Sequence, residues 1–143
     1  MDESRTREVE TVLDLPPGEG NPRNSEGDFL RLNDGRILFV YTHFTGGGGD
    51  HAEAYLAGRF SRDDGQTWDR EDVLVLPNEG RMNTMSVSLR RLPTGQIALF
   101  YLRKNSTSDC RPYVRLSVDE ELTDRGCTWG DPRTIIPDGE IGY

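Results

Sequence analysis

Two short polar segments carry side chains that could act on a ligand. Arg23 lies in "NPRNSEGD", directly before an apolar segment, and Asp50 follows four consecutive glycines in "GGGGDH". A guanidinium can bind a carboxylate through two parallel hydrogen bonds. An aspartate at the tip of a glycine loop can give up or accept a proton where it is partly desolvated. Together these residues fit the binding of an acidic sugar and acid–base chemistry on it.

Both residues also have simpler interpretations. Arg23 could be a surface arginine paired with Glu26 or Asp28, and a glycine run is usually a flexible, solvent-exposed loop. The residues alone leave this choice open. Glu26, Asp28 and Asn83 are further polar candidates for the same site, with an ordinary surface role equally open to each.

A third polar segment, "RKNSTSDCRPY", follows the apolar run "IALFYL". We expect it to be a loop in the place equivalent to the glycine run. Loops at one end of a repeated unit meet at the same surface. The charged residues that could face the same ligand, or belong to an ordinary charged loop, are Arg103, Lys104, Asp109 and Arg111.

Metal chemistry is not expected. His43 and His51 fit no standard zinc spacing, and no cysteine or carboxylate cluster completes a ligand set. Cys110 and Cys127 are too few for a disulfide framework and are expected to be free thiols. We therefore expect no metal and no cofactor, and we expect His51 to support Asp50 or to line its pocket.

The elements that must position these residues are short strands. Glycine and proline are frequent, the apolar fraction of 34% is low, and no long stretch repeats apolar residues at helical spacing. "RILFVYTHF" and "QIALFYLRK" each follow a turn, "NDG" or "PTG", and "AYLAGRF" and "YVRLSV" are their expected partner strands. The pattern predicts an all-β fold.

The strands recur as a repeat. "NDGR" and "PTGQ" stand about sixty positions apart, and "GQTW" of the first unit corresponds to "GCTW" of the second. Four strands per unit are typical of one blade of a β-propeller. We expect a polar segment over 1–20, a first blade over about 21–80 and a second over about 81–137. Propellers need about four to eight blades, so we expect the chain to be part of something longer, or several chains to complete one ring.

The octapeptide "SRDDGQTW", Ser61 to Trp68, is expected to be structural. An aspartate in a turn accepts bonds from nearby backbone N–H groups, glycine takes a positive φ, and tryptophan covers the hairpin with a large apolar face. A protein normally has one catalytic site, whereas a structural motif recurs in every repeat. The recurrence of the motif therefore favours a structural role for it, at the outer edge of each repeated unit and away from the ligand site.

The octapeptide matches the Asp-box, SxDxGxTW, of the sialidase (neuraminidase) superfamily, in which it is also called the BNR repeat. In the second unit Asp124, Gly126, Thr128 and Trp129 keep the DxGxTW part, with Leu122 in place of the serine. An alternative anchor at Ser117 and Asp119 implies a short insertion. "PRNSEGDFLRLNDGRILFVY", "GGGGDHAEAYLAGRF" and "GRMNTMSVSLRRLPTGQIALFY" also resemble the first two blades of these enzymes.

The resemblance implies a six-bladed propeller, of which about two blades are represented, and an exo-α-sialidase type of glycoside hydrolase that releases a terminal acidic sugar. It implies Asp50 as the catalytic acid/base and Arg23 as a ligand of the substrate carboxylate. The tyrosine nucleophile and the other arginines of the family pattern are not represented, so the chain alone is expected to be inactive.

Two departures from the family pattern are "RNS" for the family's "RIP" and the absence of an arginine near His43 and Phe44. They favour an alternative, a non-catalytic Asp-box propeller that binds glycan or protein. The full set of expected substrate-binding residues is Arg23, Glu26, Asp28, His51, Asn83, Arg103 and Arg111.

Charge limits the partners. The formal net charge is -8, and nucleic acids and anionic membranes both attract positive fields. We therefore expect an acidic sugar or glycan as the partner, and neither nucleic acid nor membrane, and the oligomeric state stays open. The start, "MDESRTREVE", has no apolar signal-peptide core. This predicts a cytoplasmic protein, with secretion or a periplasmic location left open.

Overall fold

The computed structural model describes residues 8–118 and 128–136. They form two four-stranded antiparallel sheets, each with its strands in sequence order, and these residues contain no helix. Sheet 1 consists of β1 (Arg23–Arg31), β2 (Ile37–Phe44), β3 (Ala54–Ser61) and β4 (Val73–Leu76). Sheet 2 consists of β5 (Asn83–Arg91), β6 (Ile97–Ser106), β7 (Asp109–Leu116) and β8 (Arg133–Thr134). The predicted all-β fold is confirmed. Among the described residues there is no helix long and apolar enough to span a membrane.

The two predicted hairpin turns have the same geometry. Within Leu32–Arg36 and Leu92–Gln96 the first residue donates its backbone N–H to the carbonyl of the last, at 2.7 and 2.8 Å. The turn glycines, Gly35 and Gly95, have φ of 93° and 90°, a conformation that residues with a Cβ rarely adopt. Glycine at this position therefore sets the register of both hairpins.

Each sheet has two faces because side chains alternate along a strand. We call the face that carries Phe39 and Tyr41 the front face of sheet 1. The strand registers place Leu99 and Tyr101 on the equivalent front face of sheet 2. The back face of sheet 1 packs against the front face of sheet 2. The buried residues at this contact include Leu38, Val40, Leu56 and Phe60 of sheet 1 and Ile97, Leu99 and Tyr101 of sheet 2. The two sheets are therefore stacked front to back, with opposite faces in contact.

A polar cluster closes this contact on one side. Glu79, in the segment between the sheets, accepts hydrogen bonds from Tyr101 Oη at 2.5 Å, Arg103 Nη2 at 2.9 Å and Arg115 Nη2 at 2.5 Å. Burial opposes the Glu79 charge, but these three donors outweigh it and hold the pKa of the carboxyl below its usual range. Burial and the bond to Glu79 raise the pKa of Tyr101 to about 12. Glu79 is thus ionised, and its hydrogen bonds link the segment before sheet 2 to that sheet.

The hairpin backbones identify which serine of the second unit corresponds to Ser61. Ser61 pairs with Ile37, and Ser117 donates its N–H to the carbonyl of Ile97, the equivalent of Ile37, at 2.9 Å. Ser117 Oγ also accepts the Ile97 N–H at 2.9 Å. Ser117 therefore stands where Ser61 does, as the alternative anchor with an insertion requires. Of the second motif, Thr128 and Trp129 are described, whereas Asp119, Leu122, Asp124, Gly126 and Cys127 lie outside the described residues.

The shared core should make the sheets unfold together. Leu99 is fully buried between them, and Leu74, on the outer strand β4, is 54% exposed. We expect Leu99→Ala to lower the free energy of unfolding by about 2–5 kcal/mol because it leaves a cavity in the contact. Leu74→Ala is the matched control, with an expected change within about 0.5 kcal/mol. Urea unfolding followed by tryptophan fluorescence and far-UV circular dichroism would measure both, and separate transitions for the two probes would contradict a shared core.

Candidate functional site

The sequence candidates Arg23, Asp50 and Asn83 meet at one end of the sheets. Arg23 is the first residue of β1 and Asn83 the first residue of β5, and Asp50 lies in the loop 45–53 that joins β2 to β3. This end is opposite to the hairpin turns. Arg23 Nη1 lies 2.6 Å from Asp50 Oδ1, and it also donates to the carbonyl of Gly48 at 3.3 Å. The two side chains are 29% and 52% exposed, so a ligand can reach the pair.

Phe44 and Asn21 hold Arg23 in position. The Arg23 Cζ lies 4.5 Å from the ring centroid of Phe44, which is fully buried, and this cation–π contact stabilises the guanidinium at that position. Asn21 donates its side-chain amide to the carbonyls of Phe44 at 2.8 Å and of Arg23 at 3.1 Å. Phe44 and Asn21 are site residues that the sequence reasoning missed. The pairing of β1 with β2, which sets Arg23 opposite Phe44, is the signal that identifies the aromatic ring.

The glycine loop is held by its own backbone. Thr45 and Gly46 both donate to the carbonyl of Glu53, at 2.8 and 3.2 Å, and Ala52 donates to the carbonyl of Gly49 at 3.0 Å. A Cβ on Gly46 would lie 2.8 Å from the Glu53 nitrogen, closer than real Cβ contacts come. The loop therefore needs glycine at this position to close tightly and present Asp50.

Asn83 connects the loop to sheet 2. The side chain is fully buried, and its Nδ2 donates to the carbonyls of Asp50 at 2.9 Å and Ala52 at 3.0 Å. Its Oδ1 is buried and accepts no hydrogen bond from the described part of the chain. Asn83 thus holds the backbone of Asp50 in place, and both amide hydrogens are engaged with the loop.

The ion pair determines the charge state of Asp50. The hydrogen bond from Arg23, and then its positive charge, hold the pKa of the Asp50 carboxyl below its ordinary value of 3.8. Lys104 and His51 contribute to the same direction with their charges. His51 itself is exposed. At neutral pH Asp50 is therefore a carboxylate, which can accept a proton but has none to give while Arg23 is bound to it.

The predicted loop over "RKNSTSDCRPY" is wrong, because β6 and β7 extend through it and leave only a short turn at Thr107 and Ser108. Arg103 is bound to Glu79, and its guanidinium lies 4.1 Å from the ring centroid of Tyr113. Lys104 is fully buried in β6. The turn therefore presents neither side chain at its tip.

Arg111 and Asp109 lie at the start of β7 and bind each other, with Arg111 Nε 3.0 Å from Asp109 Oδ1. Arg111 Nη1 also donates to the carbonyl of Ile136, which follows β8, at 3.0 Å. These contacts hold the arginine against its own sheet.

Glu26 and Asp28 occupy different places on β1. Asp28 Oδ2 accepts the Leu89 N–H at 2.7 Å and so fastens β1 to β5. Glu26 lies in the β-bulge between Ser25 and Gly27 and lines a groove on the front face of sheet 1. Neither side chain pairs with Arg23, so the simple surface pairing is not what the fold uses.

His43 also lies on the front face of sheet 1, away from Asp50. Its ring stacks on Tyr55 at 4.7 Å between centroids, and burial lowers its pKa although Asp72 opposes the shift. Within residues 8–118 and 128–136 no group of three or more histidine, cysteine or carboxylate side chains could hold a metal ion. Cys110 is buried and free in that part of the chain.

The Asp-box hairpin lies at the opposite end of sheet 1. Asp63 Oδ1 accepts the Thr67 N–H at 2.8 Å and Oδ2 accepts its hydroxyl at 2.6 Å, while Ser61 Oγ accepts the Gly65 N–H at 2.8 Å. Trp68 donates its indole N–H to the carbonyl of Gly65 at 3.2 Å. Ser61, Asp63, Thr67 and Trp68 thus all bond within their own turn, whereas Asp64 pairs with Arg31 of β1.

Comparison with known proteins adds no assignment. No protein-family model matches the chain, and no curated protein matches it.

The charge state of Asp50 can be tested directly. We expect Arg23→Met to raise the pKa of the Asp50 carboxyl toward 3.8, because it removes the main group that lowers it. NMR titration of the side-chain carboxyl carbons would measure the change. Arg31→Met is the control, because it breaks a similar exposed ion pair, with Asp64, at the other end of the sheet. An Asp50 pKa that is the same in the wild type and in Arg23→Met would show that the ion pair does not form.

Proposed function

We propose that this chain is part of a sialidase-like glycoside hydrolase, and that Arg23 and Asp50 are its carboxylate ligand and its acid/base. The observation that supports this most is the direct contact between the two side chains at a solvent-accessible end of the sheets. They are the two residues that the sequence resemblance implies for these roles. A guanidinium that already holds one carboxylate is suited to hold that of an acidic sugar.

We propose further that sheets 1 and 2 are two blades of a propeller. Each has four antiparallel strands in sequence order, and the two stack front to back. β1 and β5 are neighbours across the contact through the bond from Leu89 to Asp28. In a propeller the first strand of each blade lines the central channel. The ends of β1 and β5 that carry Arg23 and Asn83 would then open onto the mouth of that channel.

The ion pair suggests how a substrate would activate Asp50. An acidic sugar that binds Arg23 would compete with Asp50 for the guanidinium. Asp50 would lose the partner that holds its pKa down, and burial under the sugar would raise it further. A protonated Asp50 could then protonate the leaving oxygen, and its carboxylate could later activate a water molecule. The family's nucleophile is a tyrosine and not a second carboxylate, and we assign it to no residue of this sequence.

A second candidate function is glycan binding without catalysis. It is favoured by the low pKa of Asp50, since an efficient general acid has a pKa near the working pH. Arg103 and Arg111 are engaged in ion pairs within sheet 2 and its neighbouring segment, so neither is assigned as one of the further arginines that hold the substrate carboxylate in the family's enzymes. This also favours binding without catalysis. In this case Arg23 would bind the acidic group of the glycan and Asp50 would only hold the guanidinium in place.

Binding of an acidic sugar is the property that both candidates share. We expect N-acetylneuraminic acid to shift the NMR signals of Arg23 and the glycine loop. We expect Arg23→Met to weaken binding about tenfold or more, because hydrogen bonds to charged groups are worth about 1.5–3 kcal/mol. Arg31→Met should leave the affinity unchanged. Equal affinities for the wild type and Arg23→Met would rule out both candidates.

Turnover separates the two. Protein from the longest reading frame that contains this sequence would be assayed with a fluorogenic sialoside. For a hydrolase we expect Asp50→Ala to lower kcat by about a hundredfold or more, the usual value of acid–base assistance. Asp64→Ala, at the far end of the sheet, is the control. Saturable binding without hydrolysis would select the glycan-binding function, and full activity of Asp50→Ala would refute the role of Asp50.

A further inference from the structure

The front face of sheet 1 presents an aromatic surface that sheet 2 does not cover. Phe29 stacks on Phe39 with 4.6 Å between ring centroids, and Trp68 lies 5.8 Å from Phe29. Phe29 is 56% exposed, and Leu74 on the outer strand of the same face is 54% exposed. Residues 10–13 and Leu15 line the groove above these rings together with β1 and β2. Large apolar side chains grouped on an exposed sheet face usually mark a contact surface.

The equivalent face of sheet 2 is covered. Leu99 is fully buried against the back face of sheet 1, whereas its counterpart Phe39 is only partly buried. Tyr101 is buried at the same contact, and its counterpart Tyr41 is buried as well. The tryptophans of the two hairpins, Trp68 and Trp129, differ in whether they bond across a contact between sheets. Trp129 packs against the core between the sheets and donates its indole N–H across the contact to the carbonyl of Val75 in β4, at 3.0 Å. Trp68 donates only within its own hairpin.

The polar part of the covered face is repeated as well. Tyr41 donates its hydroxyl to Asp72 at 2.5 Å, and Arg59 Nε donates to the same carboxylate at 2.7 Å. Tyr101 and Arg115 occupy the same places in sheet 2 and bind Glu79. The front face of sheet 1 therefore carries both the apolar and the polar components of a face that, in sheet 2, is a packing surface.

The complementary surface is the back face of sheet 2. The strand registers place Phe100 and Val114 where sheet 1 has Val40 and Gly58, with Leu116 where sheet 1 has Phe60. Phe100, Val114 and Leu116 are only partly buried. The chain thus carries the two halves of one kind of sheet contact on opposite sides.

We propose that a second copy of this chain docks the back face of its sheet 2 onto the front face of sheet 1, as sheet 2 packs on sheet 1 within one chain. The contact within the chain is the argument for this occupant, since it joins the same two kinds of face. Such a contact uses a different surface on each copy. It therefore continues from copy to copy and gives a closed ring or an open array. The proposal rests on sheet packing and is independent of the hydrolase activity.

Sedimentation equilibrium of the wild-type chain over a range of concentrations is the first test. We expect masses above the chain mass of 16.1 kDa that rise with concentration toward a multiple of it. Phe29→Glu should give the mass of one chain, because it places a charge in the contact. Val9→Glu is the matched control, since Val9 is 98% exposed and lies outside the groove, and it should associate like the wild type. Circular dichroism would confirm that both variants are folded.

A mixing experiment tests the pairing of unlike faces. Phe29→Glu retains the back face of sheet 2, so it should bind the front face of a wild-type copy and stop further growth. An excess of fluorescently labelled Phe29→Glu should therefore convert wild-type assemblies into species of two chains, one of them labelled. A wild type that stays at 16.1 kDa at all concentrations would overturn the proposal. So would self-association of Phe29→Glu, or its failure to bind wild type, which would indicate contact between like faces.

Discussion

The packing of the back face of sheet 1 on the front face of sheet 2 is the interaction on which the rest of the structure depends. The candidate site does not belong to either sheet alone. Arg23 and the glycine loop come from sheet 1, and Asn83, which holds the loop through the carbonyls of Asp50 and Ala52, comes from sheet 2. Any change that separates the sheets therefore also releases the loop. Stability and the geometry of the site are coupled in this fold.

The ion pair between Arg23 and Asp50 determines the charge state of the candidate site. Arg23 neutralises Asp50 and lies on the ring of Phe44, so the guanidinium is fixed and the carboxylate is ionised. A carboxylate ligand would take up the same guanidinium and leave Asp50 with a different pKa. The resting site thus holds Asp50 in the charged state. Under the proposed function, binding of the substrate would change that state.

The sequence predicted the strands and the turns well because both depend on local patterns. Alternating apolar residues and turn glycines such as Gly35 and Gly95 are visible in the sequence itself. The hairpin around Thr107 was missed because its strand ends are polar, and cross-strand pairs such as Lys104 with Cys110 are not visible in sequence spacing. The Ser117 anchor became clear only from backbone pairing with Ile97. Arg23 and Asp50 were predicted as residues of one site but not as an ion pair. The positions of Phe44 and Asn83 in that site depend on which strands lie side by side.

The most direct test is the pKa of the Asp50 carboxyl, measured by NMR with and without a saturating concentration of N-acetylneuraminic acid. If the sugar carboxylate takes the place of Asp50 on Arg23, the pKa should rise from its depressed value toward or above 3.8. An Asp50 pKa that stays depressed while the sugar is bound would mean that Arg23 does not exchange partners, and it would contradict the central claim.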